Sequence, residues 1–301
     1  MRNFKNVFRA FALLVAVLFV QVSFAQTSEK PLRLFVIGNS FSQNSTSFLQ
    51  EITRSRGRKL EIGRAELGGH SLAQHWSYVA AAEANPEDPK GKPYGGKSLK
   101  TLLSDGVWDV ITIQQYSYLS GDSASYSPYA EQLYAFIKKL QPNAKILIHQ
   151  TWAYRVDAKK FGQIGTNTLA KDQKEMWMYS RAAYHHLAKV LHAKILPVGD
   201  AFQQVNTDPK MGFKVDSTFN YEHPEYPNLP DQKHSLNVGY SWNKQTLAFD
   251  PNHASAAGRY LGGLIWYAIL FKDSPKKVTF VPKEVDSDFA DYLRNIATKH
   301  L

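Results

Sequence analysis

Ser40, Asp250 and His253 are the residues whose types and spacing could together do covalent chemistry. A serine hydroxyl is a poor nucleophile until a base takes its proton and a third group holds that base. Ser40 stands in "LRLFVIGNSFSQNS", where an apolar run ends abruptly in Gly38-Asn39-Ser40-Phe41. Late in the chain, "FDPNHASAAG" places Asp250 three residues before His253. At that spacing on a turn, a carboxylate can fold back to the imidazole Nδ1–H and leave Nε2 facing a serine. Each residue also has a plainer role. Ser40 could cap a helix, Asp250 or Asn252 could cap the last long helix, and His253 could sit in that helix's first turn.

The elements that would position these residues follow from the hydrophobic pattern. "LRLFVIG", "KLEIGRAELGG", "WDVITIQQ", "AKILIHQTW" and "AKILPVGDAFQQV" read as five strands. Between them lie helical segments at about 45–56, in "SLAQHWSYVAAAEA", "SLKTLLSDG" and "SPYAEQLYAFIKKLQP", and over about 172–192. This alternation predicts an α/β fold, a three-layer sandwich with a parallel five-stranded sheet flanked by helices. Ligands of such sheets bind at the carboxyl ends of the strands, where Ser40, Gln115 and "QTWAYR" would lie. The segment 206–249, rich in Pro, Asn and aromatics, is too long for an ordinary connection and reads as an insertion. "HASAAGRYLGGLIWYAILF" then reads as a buried helix.

Composition narrows the function. The 301 residues are 44% hydrophobic and 21% charged, which is globular. There is no cysteine, so disulfides, thiolate metal sites and thiol nucleophiles are excluded. Arg2, Lys5 and Arg9 precede an apolar run from Phe11 to Val20, with Ser23 and Ala25 ahead of Gln26. That pattern predicts a signal peptide over 1–25 and a secreted or periplasmic single domain over 26–301, with no stable membrane insertion after cleavage. The formal charge of +10 is spread along the chain without a basic, aromatic-interleaved stripe, so no nucleic-acid partner is expected. His70, His75, His185, His186 and His223 lack convincing ligand spacing, so no metal or other cofactor is expected.

Taken together, Gly38-Asn39-Ser40-Phe41 after the first strand and Asp250-Pro251-Asn252-His253 near the end resemble the SGNH (GDSL-type) hydrolase superfamily. Asn39 and Phe41 replace the Asp and Leu of its first block, and the Asp-x-x-His block is intact. With "GGHSL", "WDVITIQQ" and "QTWAYR", the chain looks like a little-characterised branch of that superfamily found in secreted bacterial proteins. The resemblance implies a Ser40-His253-Asp250 triad and an oxyanion hole from the Ser40 N–H, a loop glycine and a side-chain amide. Gly69 is the expected glycine, with Gly68 as the alternative. The family's block-three asparagine is absent, and Gln115, with Gln114 as the alternative, is expected to supply the amide. Strand alternation puts these two glutamines on opposite faces, so only one could reach the site.

Trp152 and Arg155 are expected to border the pocket, and Tyr240 and Trp242 to offer rings to a substrate. The expectation is a serine esterase that hydrolyses a small acyl ester such as acetyl on a carbohydrate. A non-catalytic glycan-binding protein on the same scaffold and an acyltransferase are the alternatives.

Overall fold

The computed structural model describes residues 30–301, so the expected signal peptide over 1–25 lies outside the described residues. Five strands, β1 (Leu32–Gly38), β2 (Leu60–Glu66), β3 (Val110–Ile113), β4 (Lys145–His149) and, later in the chain, β7 (Lys194–Leu196), form one sheet. Its order is β2-β1-β3-β4-β7, and every pairing is parallel. The expected α/β sandwich with a parallel five-stranded sheet is thus the architecture observed.

The apolar run of β1 explains why it is central. Successive side chains on a strand point to opposite faces. Leu34 and Val36 enter one core, and Phe35 and Ile37 enter the other. On the first face lie α1 (Ser40–Thr46), α2 (Leu49–Ser55), α7 (Val198–Asn206), α8 (Ala256–Phe271) and α9 (Ser287–Thr298). On the second lie α3 (Leu72–Ala84), α4 (Leu99–Leu103) and α5 (Tyr129–Leu140). The long α6 (Gln173–Val190) joins them there through Ala183, Tyr184 and Leu187. α8 is apolar nearly all round, and ten of its residues, from Gly258 to Ala268, are buried.

Four features differ from the sequence expectation. The segment read as the fifth strand is strand only over Lys194–Leu196, and the helix α7 takes over from Val198. The first helical segment starts at Ser40 rather than near residue 45, and it is broken at Ser47–Phe48 into α1 and α2. The insertion is not all loop. After the short β5 (Gln163–Gly165) and β6 (Thr168–Leu169) pair earlier in the chain, its end forms an antiparallel hairpin of β8 (Asn237–Asn243) and β9 (Thr246–Ala254). Asp250 and His253 therefore sit on a strand, not on a free turn. The last helix, α9, was not expected; Asp286 caps it by accepting the Phe289 N–H.

The sheet order reverses direction at β1, with β2 on one side and β3 on the other. Such a switch point opens a crevice at the carboxyl ends of the strands. Ser40 follows the end of β1 by two residues, at that crevice.

Candidate active site

The turn that carries Ser40 is held by its neighbour. Asn39 is fully buried and extended (φ −141°, ψ −157°), and it caps α1. Its Oδ1 accepts the Phe41 N–H at 3.0 Å, and its Nδ2 donates to the His70 carbonyl at 2.9 Å. The capping role open to Ser40 thus falls to Asn39. Ser40 becomes the first helical residue, where its N–H is among the donors that a helix leaves without an intrahelical acceptor. On the far side, His75 Nε2 donates to the Gly38 carbonyl at 3.1 Å, and Tyr94 O–H donates to His75 Nδ1 at 2.6 Å. Burial, with a smaller push from His70, lowers the His75 pKa to about 4, so the ring is neutral.

The hairpin brings the other two residues to the serine. His253 Nε2 lies 2.9 Å from Ser40 Oγ, and His253 Nδ1 lies 2.8 Å from Asp250 Oδ2. Asp250 Oδ1 also accepts the backbone N–H of His253 at 3.0 Å and of Asn252 at 3.2 Å. Partial burial opposes the Asp250 charge, but the hydrogen bonds from His253 outweigh it and lower its pKa. Asp250 is then a carboxylate that holds the proton on Nδ1, and Nε2 is left as the acceptor facing Ser40. The side chains of His253 and Asp250 are about one-third exposed, so solvent reaches the pair.

Residues 250–254 are pinned from several sides. The Pro251 carbonyl accepts the Arg155 N–H at 2.8 Å and Asn237 Nδ2 at 2.9 Å. The Asn252 carbonyl accepts Trp152 Nε1–H at 2.8 Å, and the Ala254 N–H donates to Asn44 Oδ1 at 2.8 Å. Trp152 is stacked between Phe41 (4.3 Å) and Phe202 (4.6 Å). Phe41 follows Ser40 directly, so this stack ties the helix that Ser40 opens to the strand of His253.

These contacts correct the expected pocket-lining roles. Trp152 and Arg155 are 1% and 2% exposed, so they support the site from behind. The Arg155 guanidinium forks onto Asp157 with two bonds of 2.7 Å, donates to Gln232 Oε1 at 2.7 Å, and lies against Phe213, Phe249 and Tyr240. Tyr240 stacks on Phe249 at 4.3 Å and leans on Tyr221. Trp242 meets Tyr226 edge-on and donates to the Asn228 carbonyl at 2.9 Å. Tyr240 and Trp242 therefore belong first to the insertion's own small core.

The expected oxyanion donors divide. Gly69 has φ +70°, a conformation that glycine adopts without strain, while Gly68 precedes it with ordinary backbone. Their loop is fastened to the Ser40 turn by the Asn39–His70 bond and by the Leu67 N–H on the Gly38 carbonyl. Gln115 is not available. Its Nε2 is spent on the carbonyl and hydroxyl of Ser125, and its Oε1 accepts the Leu72 and Tyr116 N–H groups. Gln114 commits one Nε2 hydrogen to Asn39 Oδ1 at 2.7 Å and its Oε1 to His149 Nδ1 at 2.8 Å. The strand ends at Ile113, and both side chains that follow it are buried.

Sequence reasoning missed His149. It lies at the end of β4, is fully buried, and is held by burial at a pKa of about 3. A histidine closing the apolar run "KILIH" was the available signal. Among the described residues, no group of three His, Cys, Asp or Glu is arranged to hold a metal ion. No described helix is long and apolar enough to cross a membrane.

Residues 33–226, more than half of the chain, match the family described as a domain of unknown function, DUF4886. The chain belongs to the DUF4886 family. The matched span holds Ser40, Gly69, Gln114 and His149 of this DUF4886 protein and stops before the hairpin that carries Asp250 and His253. No curated protein matches the sequence. Among solved structures, the protein is similar to a DUF4886 family protein from Bacteroides uniformis, with 22% identity and a TM-score of 0.69 over 90% of this chain and 94% of that one. It is also similar to a candidate SGNH hydrolase from Slackia heliotrinireducens, with 18% identity, a TM-score of 0.47, and 78% and 97% of the two chains covered. A candidate GDSL-like lipase from Parabacteroides merdae is similar at 12% identity and a TM-score of 0.47, over 81% and 97%.

Proposed function

We propose that this DUF4886 protein is an exported serine hydrolase of the SGNH type that cleaves a small acyl ester on a carbohydrate. The observation that carries the reading is the unbroken chain from Ser40 Oγ through His253 to Asp250, with both links under 3 Å.

In this reading Ser40 Oγ attacks the ester carbonyl while His253 Nε2 takes its proton. The carbonyl oxygen becomes an oxyanion, for which the Ser40 and Gly69 N–H groups are the proposed donors. The tetrahedral intermediate collapses, the C–O bond to the alcohol breaks, and His253 returns the proton to the leaving alcohol. Water then gives a proton to His253 and attacks the acyl-Ser40 carbonyl. The acid leaves and Ser40 recovers its proton. Asp250 stays ionised throughout and holds the imidazole in the tautomer that keeps Nε2 basic.

The carbohydrate part is supported by the N-terminal leader pattern and by the aromatic hairpin that carries His253. On its rim Tyr226 remains 63% exposed. The test is hydrolysis of p-nitrophenyl acetate by wild type and Ser40→Ala. The expected result is a loss of at least about 10³-fold in kcat, and equal rates in the two proteins would sink the mechanism.

One observation favours a second reading, a glycan-binding protein without catalysis. Of the two glutamine amides considered for the oxyanion hole, Gln115 spends its Nε2 on Ser125 and Gln114 donates to Asn39. That reading expects glycan affinity unchanged by Ser40→Ala and no covalent acyl-enzyme.

A further inference from the structure

Gln114 and His149 do not touch the space in front of Ser40, yet they form a buried chain of hydrogen bonds that ends on its turn. Gln114 Nε2 donates to Asn39 Oδ1 at 2.7 Å. His149 Nδ1 lies 2.8 Å from Gln114 Oε1, and His149 Nε2 lies 3.2 Å from Ser45 Oγ. Asn39, Ser45, Gln114 and His149 are all no more than 2% exposed. Water cannot replace a lost partner there, so each group depends on the next.

The direction of every bond is forced. Asn39 Oδ1 already accepts the Phe41 N–H, and Asn39 Nδ2 already donates to the His70 carbonyl. The asparagine amide therefore has one orientation only. It must present an acceptor to Gln114, so Gln114 must present its NH₂ group and turn its Oε1 toward His149. His149 must then carry its hydrogen on Nδ1, which leaves Nε2 to accept the Ser45 hydroxyl. A chain that runs from α1 through β4 and the end of β3 back to Asn39 thus fixes which way the Asn39 amide faces. That amide sets both the Phe41 end of the nucleophile's turn and the loop that holds Gly69.

We propose that Gln114 and His149 are positioning residues that lock the Asn39 amide, and with it the Ser40 turn and the Gly69 loop, in the reactive arrangement. Gln114, the alternative candidate for the SGNH block-three amide, would then act one residue removed from the reacting atoms. This rests on the serine-hydrolase reading. If Gln114 lost its NH₂, Asn39 Oδ1 would keep only the Phe41 N–H, and the amide could rotate. If His149 lost its Nδ1–H, Gln114 Oε1 would be orphaned, and the glutamine could flip to set two acceptor oxygens against each other.

The test measures labelling of Ser40 by a fluorophosphonate probe, reading the rate constant and the final labelled fraction separately. A merely structural defect lowers the labelled fraction at an unchanged rate constant. Loss of positioning lowers the rate constant of the folded fraction. Gln114→Leu is expected to lower the rate constant at least about tenfold. His149→Leu is expected to do the same. His149→Asn, whose amide can still donate to Gln114 Oε1, is expected to stay within about threefold of wild type. Rate constants within about twofold of wild type in both leucine variants overturn the inference, as does equal loss in His149→Asn and His149→Leu. The two histidine variants keep the test decisive if Gln114→Leu fails to fold. A wild-type protein that takes no label overturns the hydrolase reading, and this inference falls with it. A wild-type protein that labels alongside unaffected variants overturns this inference alone.

Discussion

Gly239 lies directly opposite Asp250 in the β8–β9 ladder, and a Cβ built on it would come within 1.9 Å of Arg155 Nη1 and 2.1 Å of Gln232 Oε1. Its φ is +73°, so glycine is demanded by both the backbone and the space. The pairing partner of Asp250 is thus the point where the insertion closes on the buried arginine.

Gly239→Ala is expected to cost about 2–3 kcal/mol, from a strained φ plus the displaced guanidinium. Thermal denaturation should show a Tm lower by roughly 3–6 °C. In an Arg155→Ala background the same change should cost less, because one of its two clash partners is gone while Gln232 and the strained φ remain. Full additivity in the double-mutant cycle would show that the contact does not matter.

Asp250→Asn keeps the shape of the side chain but removes the charge and permits the wrong imidazole tautomer. Ester hydrolysis is expected to fall by about 10³-fold or more while the Tm changes little. A loss under tenfold would mean that Asp250 is not the group that orients His253.

Trp152→Phe keeps a ring between Phe41 and Phe202 but deletes the Nε1–H that the Asn252 carbonyl accepts. The expected stability loss is about 1–2 kcal/mol. A fall in kcat at constant KM should accompany it, because the bond holds the strand next to His253. An altered KM with normal kcat would restore Trp152 to the substrate-contacting role that its sequence position suggested.

His75 and His149 make stability depend on pH. The unfolded chain protonates each near pH 6.5, whereas the folded protein resists until about 4 for His75 and about 3 for His149. Their contribution is fully present above pH 6.5. It is lost as pH falls through 6.5 toward 4 for His75, and on toward 3 for His149. Urea midpoints should drop steadily over that range. His75→Gln should flatten the slope between pH 6.5 and 4, and an unchanged slope would mean that the His75 ring is not buried neutral.

Much of this was legible in the sequence. β1 was readable because a run buried on both faces is apolar throughout, and its abrupt end at Gly38-Asn39-Ser40 marked the crevice. Asp250 and His253 were readable from their spacing. Their strand was not, since the bulge near Gly239 interrupts the alternation of β8 and Pro251 interrupts that of β9. The fates of Gln114 and Gln115 were not readable either. Alternation could say that they point apart, but their partners Asn39 and Ser125 are chosen by tertiary packing. Trp152 and Arg155 were placed at the correct edge and on the wrong side of it, because sequence position does not say which way a loop side chain turns.

Ser40 and His253 are 213 positions apart, yet they share one hydrogen bond. In chain order Ser40 comes at the end of β1, and His253 comes only after the insertion, on the hairpin. Under the hydrolase reading, a clipped chain that keeps Ser40 and loses His253 carries an inert alcohol, and the reactive group is switched on by the completion of folding itself.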